Sequence, residues 1–170
     1  MSAHTIRLSE VTRGPITVDV APDEAERKAI AKRLGLVSLP ALTARMTVRS
    51  WLDGAEIGGR FDAVVEQECG VTLDPFEQPL SGDIEVRVVP AGSPHAPSPE
   101  GPEMELEPDA PDLPDELAGE EIDLGEYLIE HLALEIDPFP RKPGATFDYE
   151  NPKGDDSPFA VLKGLKDRKG

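Results

Sequence analysis

No lysine or arginine stands between Arg87 and Arg141. That stretch nevertheless holds 15 of the chain's 34 acidic side chains, against a formal net charge of -17 for the whole. Elsewhere 19 acids face 17 bases, a near balance. Charge segregated in this way bears on partners rather than on fold. An acidic surface repels phosphate backbones and attracts basic proteins. Cysteine is almost as scarce. With Cys69 alone no intramolecular disulfide can form, and the chain reads as a protein of a reducing compartment. Aromatic residues make up only 5%, which limits the core. No apolar run approaches the roughly 18 residues of a membrane helix, so no membrane partner is expected. The first residues lack the apolar stretch of a secretory signal. The expectation is a cytoplasmic chain. Phosphate loop, dinucleotide fingerprint, nucleophile elbow and H-E-x-x-H are also missing. No catalytic residue, cofactor site or metal site is assigned, and a non-enzymatic role is expected.

Proline, by contrast, is abundant, with 18 residues, about twice the usual share. Together with a hydrophobic content of 38%, this fits one small domain carrying a flexible insert. Ile16, Val18 and Val20 alternate with polar residues and predict a strand over 15–20. Pro22 to Leu34 reads as a surface helix, with Pro22 at its first position, acids early, Lys32 and Arg33 late, and Gly35 as its stop. Its apolar stripe is Ala25, Ala29, Ile30 and Leu34. Leu39 to Leu52 alternates, with Leu42, Ala44, Met46, Val48 and Leu52 on one face and Thr43, Arg45, Thr47, Arg49 and Trp51 on the other. A turn is expected at 53–56 and loosening at Gly58 and Gly59. Phe61 to Leu73 and Leu80 to Val89 complete three successive strands, an antiparallel meander or partial barrel.

Residues 1–90 thus form an N-terminal helix and antiparallel sheet. Eight prolines between Pro90 and Pro114, with scattered acids, predict a disordered acidic linker over 91–119. Residues 120–140 return to the domain. There Asp123-x-x-Glu126 reads as a capping box, and Leu124, Leu128 and Leu132 follow at helical spacing. Residues 141–170 read as a flexible tail with a short helix bearing Phe159, Leu162 and Leu165, and lysines Lys163, Lys166 and Lys169 opposite. The fold class is α+β, two helices on a sheet. Trp51, Phe61, Ile84, Leu124, Leu128 and Leu132 are expected in the core.

Cys69-Gly-Val-Thr72 has the spacing of C-x-x-C with the second sulfur replaced. Zinc needs four ligands, and His4, His95 and His131 lie in separate elements, so a thiol without chemistry is expected. Glu66 and Glu68 beside it should raise its pKa. His131 has no partner at a telling offset and reads as a boundary histidine. Arg45 and Arg49 could form a small basic patch, but no basic run interleaved with aromatics points to nucleic acid. Composition leaves the acidic stretch open between a solvated tether and a docking strip for a basic partner.

Three blocks carry a resemblance: Phe61-Asp-Ala-Val-Val-Glu-Gln-Glu-Cys-Gly-Val-Thr-Leu-Asp-Pro-Phe76, the stretch from Glu121 through Asp137-Pro-Phe-Pro140, and Ser157-Pro-Phe-Ala-Val-Leu-Lys-Gly-Leu-Lys166. In this order they resemble the bacterial YceD family, large ribosomal RNA subunit accumulation proteins. The resemblance spans most of the chain from about residue 22. It implies a non-enzymatic part in accumulating large-subunit ribosomal RNA, hence in ribosome biogenesis. Many members have C-x-x-C where this chain has Cys69 and Thr72, so function should not rest on Cys69. The partner surfaces expected are the acids Glu121, Glu126, Glu130 and Glu135, for a basic ribosomal protein or assembly factor, and the tail residues Phe159, Leu162, Lys163, Leu165 and Lys166. Association with ribosomal RNA would be weak or indirect. The alternative is a generic acidic interaction module or chaperone for basic proteins.

Overall fold

The computed structural model describes residues 4–97 and 112–148. In chain order they form β1 (Thr5–Arg7), α1 (Leu8–Val11), β2 (Ile16–Val20), α2 (Glu24–Leu34), β3 (Ser38–Trp51), β4 (Gly54–Glu68), β5 (Pro75–Pro90), β6 (Asp115–Leu117), β7 (Glu121–Asp123) and α3 (Leu124–Glu135). The protein is α+β. A five-stranded sheet runs β2-β3-β4-β5-β6, antiparallel except for the final β5–β6 pair. A separate ribbon joins β1 to β7, with Ile6 opposite Ile122.

The alternation in β3 decides which face is covered. Leu42, Ala44, Met46 and Val48 are buried, as are Phe61, Ala63 and Val65 on β4 and Ile84 and Val88 on β5. These residues meet Leu124, Leu128 and Leu132, the buried stripe of α3. Each such leucine contributes roughly 1.5–3 kcal/mol. Trp51 does not join this core. As the alternation places it, it lies half-buried on the opposite face, with the Arg87 guanidinium 5.3 Å from its ring.

Several boundaries differ from expectation. The turn between β3 and β4 uses only Leu52 and Asp53, because Trp51 pairs directly with Gly54. Leu52 supplies the left-handed residue, at φ 51°, that such a hairpin requires, and it is exposed rather than inward. Gly58 and Gly59 therefore lie inside β4 rather than before it. β4 stops at Glu68, and Leu73 belongs to the following turn, again left-handed at φ 61°. β5 begins at Pro75, five residues earlier than expected. It tolerates Pro75 and Pro79 because β6 pairs only with Val88–Pro90, which leaves the outer edge of the earlier residues without a strand neighbour.

The helix starts after Pro22, not at it. Asp23 is the N-cap, accepting from the Glu26 N–H at 2.8 Å, while the Asp23 N–H donates to the Glu26 carboxylate. Its inward stripe is Arg27, Ile30, Ala31 and Leu34, with Ala25 and Ala29 exposed. Arg27 takes part because its guanidinium donates to the carbonyls of Leu39 and Pro22. Gly35, at φ 68°, ends the helix as expected.

The largest correction falls on the acidic segment. Its described end is ordered: Asp115–Leu117 adds a parallel strand to β5, and Leu117 is buried. A single apolar side chain facing the core suffices to hold a strand this short when a paired neighbour is already fixed. Residues 98–111 of the expected linker lie outside the described residues. At the other end, Lys142 of the expected flexible tail is tied to Cys69 and Asp74.

The glycines of β4 give a direct test. A Cβ on Gly54 would stand 1.9 Å from the Val88 carbonyl oxygen, whereas one on Gly58 meets nothing within 4 Å. Gly54→Ala should destabilise by about 3 kcal/mol, the upper range for forced overpacking. Gly58→Ala should change stability by less than about 0.5 kcal/mol. Urea midpoints of the two variants check this.

Candidate interaction surface

The acids singled out in the sequence do not form one free strip. Glu121 lies on β7, before the helix, and faces Arg7 at 3.8 Å. Glu126 is the third residue of α3, where Asp123 caps the helix by accepting from Gly125 and Glu126. Its carboxylate does not close the expected capping box. It receives two hydrogen bonds from Arg33 of α2, both 2.8 Å, in a bidentate fork. That guanidinium holds the Glu126 carboxyl below the usual carboxylate range, and Glu126 in turn raises Arg33. Both side chains are about half exposed, so the pair fixes helix orientation more than it stabilises the fold. Beneath it, a groove of about 250 Å³ runs between α2 and α3, lined by Val20, Pro22, Ile30, Leu128 and Ile129.

Glu130 and Glu135 are the acids left available. Neither makes an ion pair among the described residues. Glu130 and Asp115 also act on Tyr127, whose hydroxyl is pushed up to about 12, chiefly by burial and then by these two charges. His131 is half-buried, with Nδ1 2.8 Å from the Tyr127 carbonyl one turn earlier. That bond occupies it within its own helix, in keeping with a boundary histidine.

The basic patch expected at Arg45 and Arg49 is neutralised. Arg45 pairs with Asp19 at 2.7 Å, and Arg49 and Arg87 both reach Glu56, at 3.1 and 3.3 Å. Arg60 faces Asp83 at 3.4 Å. Strand pairing places Asp19 directly across from Arg45 and Glu56 across from Arg87. The arginines of this open sheet face are thus held in cross-strand ion pairs. The expected tail residues Phe159, Leu162, Lys163, Leu165 and Lys166 lie outside the described residues.

Cys69 occupies the turn that follows β4, and it is fully buried. Its N–H donates to the Asp74 carbonyl and its carbonyl accepts from Leu73, which closes the turn. The thiol is brought down to about 7, first by the Thr72 hydroxyl, then by the Lys142 and Thr72 N–H groups, with burial opposing. This reverses the expected upward shift. Glu66 and Glu68 alternate onto the other face of β4, away from the sulfur, so their charges do not govern it. Thr72 is thus the first influence on the thiol, from the third position after Cys69. Among the described residues, no group of three His, Cys, Asp or Glu side chains is placed to hold a metal.

Sequence reasoning passed over Gln67, Arg33 and Phe139. Gln67 is buried beside this turn and donates to the Asp137 carbonyl at 2.9 Å. Together with the Gly70–Pro140 hydrogen bond, it seats residues 137–142 on the Cys69 turn. Phe139, between two prolines that can neither extend α3 nor join the sheet, is 81% exposed. Those flanking prolines were the available signal.

Thr72→Val should raise the Cys69 thiol pKa above about 7, seen in a pH titration of thiolate ultraviolet absorbance. A folded-state thiol held low contributes stability above the ordinary thiol range and loses it as pH falls through about 7. The stability advantage of the unaltered chain over Thr72→Val should therefore grow as pH rises from about 7 to 9, and vanish below it.

No curated protein and no solved structure matches the chain. A family model does: that of the large ribosomal RNA subunit accumulation protein YceD, over residues 57–166. The matched span takes in most of β4, the Cys69 turn, β5, α3 and the segment seated on that turn, more than half of the chain, which therefore belongs to the YceD family.

Proposed function

We propose that this protein is a non-enzymatic cytoplasmic factor that supports accumulation of large-subunit ribosomal RNA through protein contacts. The family membership carries the biological setting, since its description ties members to accumulation of that RNA. The mode of contact follows from charge. A chain of net charge -17 is repelled by a phosphate backbone, and the sheet face pairs its arginines with carboxylates. A basic ribosomal protein or assembly factor is the complementary partner. Glu130 and Glu135 on α3, unpaired among the described residues, are the acids that meet it.

Removing the chain from its cell should lower the ratio of large- to small-subunit ribosomal RNA. Glu130→Lys combined with Glu135→Lys should weaken capture of the basic partner about tenfold at low salt, at about 0.7 kcal/mol per reversed charge. Pull-down with and without nuclease, followed by rRNA quantification, checks both. An unchanged rRNA ratio on removal would overturn the proposal. Salt-sensitive capture of many unrelated basic proteins, with no ribosomal preference, would favour the generic acidic module.

A further inference from the structure

The chain around the end of α3 and the turn it is tied to exposes three large apolar side chains. Leu134 and Phe139 are each 81% exposed and Leu73 is 67% exposed. The three belong to one construction. Leu134 is on the last turn of α3, Phe139 follows five residues later, and the 137–142 segment is bound to the turn that carries Leu73. Glu130 and Glu135 border the same helix end. Covering these side chains would remove apolar surface from water, at roughly 25 cal/mol per Å².

We infer that residues 157–170 of the same chain cover this surface, with Phe159, Leu162 and Leu165 over Leu134 and Phe139 and with Lys163, Lys166 and Lys169 toward Glu130 and Glu135. Four observations select this occupant. Its chemistry is complementary: 157–170 has four basic residues and one acid, with three large apolar residues at helical spacing. The opposing surface has large apolar residues bordered by acids. The tether suffices. Ten residues separate Asp148 from Phe159, an extended reach of about 35 Å, against a radius of gyration of about 14 Å for a domain of this size. A segment so tethered meets its site at roughly millimolar effective concentration. The internal stretch 98–111 is unsuited. It is acidic, and Met104 and Leu106 are its only large apolar residues. A second copy bound through the same patch by two-fold symmetry would set Glu130 and Glu135 close to their own duplicates. The inference uses the same acidic helix as the proposed function, and it makes the basic partner a competitor of the tail. It requires no ribosomal partner to be tested.

The full-length chain with p-benzoylphenylalanine in place of Phe159 is irradiated at about micromolar concentration, without partner, and cross-linked peptides are mapped. Cross-links within one copy to 130–142 or 70–74 are expected. They should fall about tenfold in Leu134→Asp/Phe139→Asp, the factor that 1.4 kcal/mol of lost contact produces. As a second reading, Leu162→Asp/Leu165→Asp should lower amide-exchange protection in 131–142 with the melting temperature unchanged. Cross-links spread over the whole surface and indifferent to Leu134→Asp/Phe139→Asp would overturn the inference. So would cross-links found only between copies. A normal cross-link pattern in a chain whose removal leaves rRNA unchanged would sink the proposed function alone.

Discussion

Everything in this fold hangs on the covering of one face of the β3–β4–β5 meander. Its strands are long, 14 to 16 residues, and their inner residues leave a wide apolar floor. Leu124, Leu128 and Leu132 close that floor from one helix only twelve residues long. A helix this short does not fix its own direction. The chain supplies direction from outside: Asp123 caps its start, the β1–β7 ribbon delivers it, and Arg33 grips Glu126. The N-terminal residues therefore belong to the same unit as the family-matched segment. β3, the strand that flanks β4, comes from outside that match.

The same packing explains how charge is distributed. One face of the sheet is taken by helices, so the alternating polar residues must stay in water on the other. There the antiparallel register sets Asp19 opposite Arg45, Glu56 opposite Arg49 and Arg87, and Asp83 opposite Arg60, while Glu66 stands opposite Glu77. On α3 no opposing strand exists to supply cations. Arg33 answers Glu126 and Arg7 answers Glu121, while Glu130 acts on Arg33 only through its charge and neither Glu130 nor Glu135 makes an ion pair among the described residues. The net charge of the chain is thus expressed unevenly. Strand pairing offsets part of it on the sheet, and helix geometry leaves Glu130 and Glu135 without an ion pair among the described residues.

Much of the architecture was legible because its periodicity is plain. Period two in β3 and the leucine spacing of α3 gave both strand and helix, and the buried sides followed. The misreadings share a physical cause. Gly58 and Gly59 resemble a turn, but they stand where β3 crosses too closely for a side chain at residue 59, whose Cβ would lie 2.5 Å from the Arg45 carbonyl oxygen. Pro75 and Pro79 resemble breakers, but an edge has no donor to lose. Asp115–Leu117 sits in a proline-rich acidic context and owes its order to a neighbour 27 residues away, Val88. Trp51 had the right hydrophobicity and the wrong parity. In each case composition was outweighed by where the residue stands in the sheet. The site fared similarly. Glu126 was found by motif but not its engagement by Arg33, which lies 93 residues away.

Cys69 shows how one buried side chain shapes the surface beside it. A lone buried sulfur in a turn needs partners for its polar surroundings, and here Thr72 and the Lys142 backbone provide them. The Lys142 contact has a consequence beyond the thiol. With the Gln67 and Gly70 bonds, it holds the chain after α3 flat against the turn, so Asp137-Pro-Phe-Pro140 cannot fold away. Phe139 is left facing water by that constraint. The chain beyond α3 is therefore held by three bonds to the turn after β4, and one of them ends on the Cys69 sulfur itself.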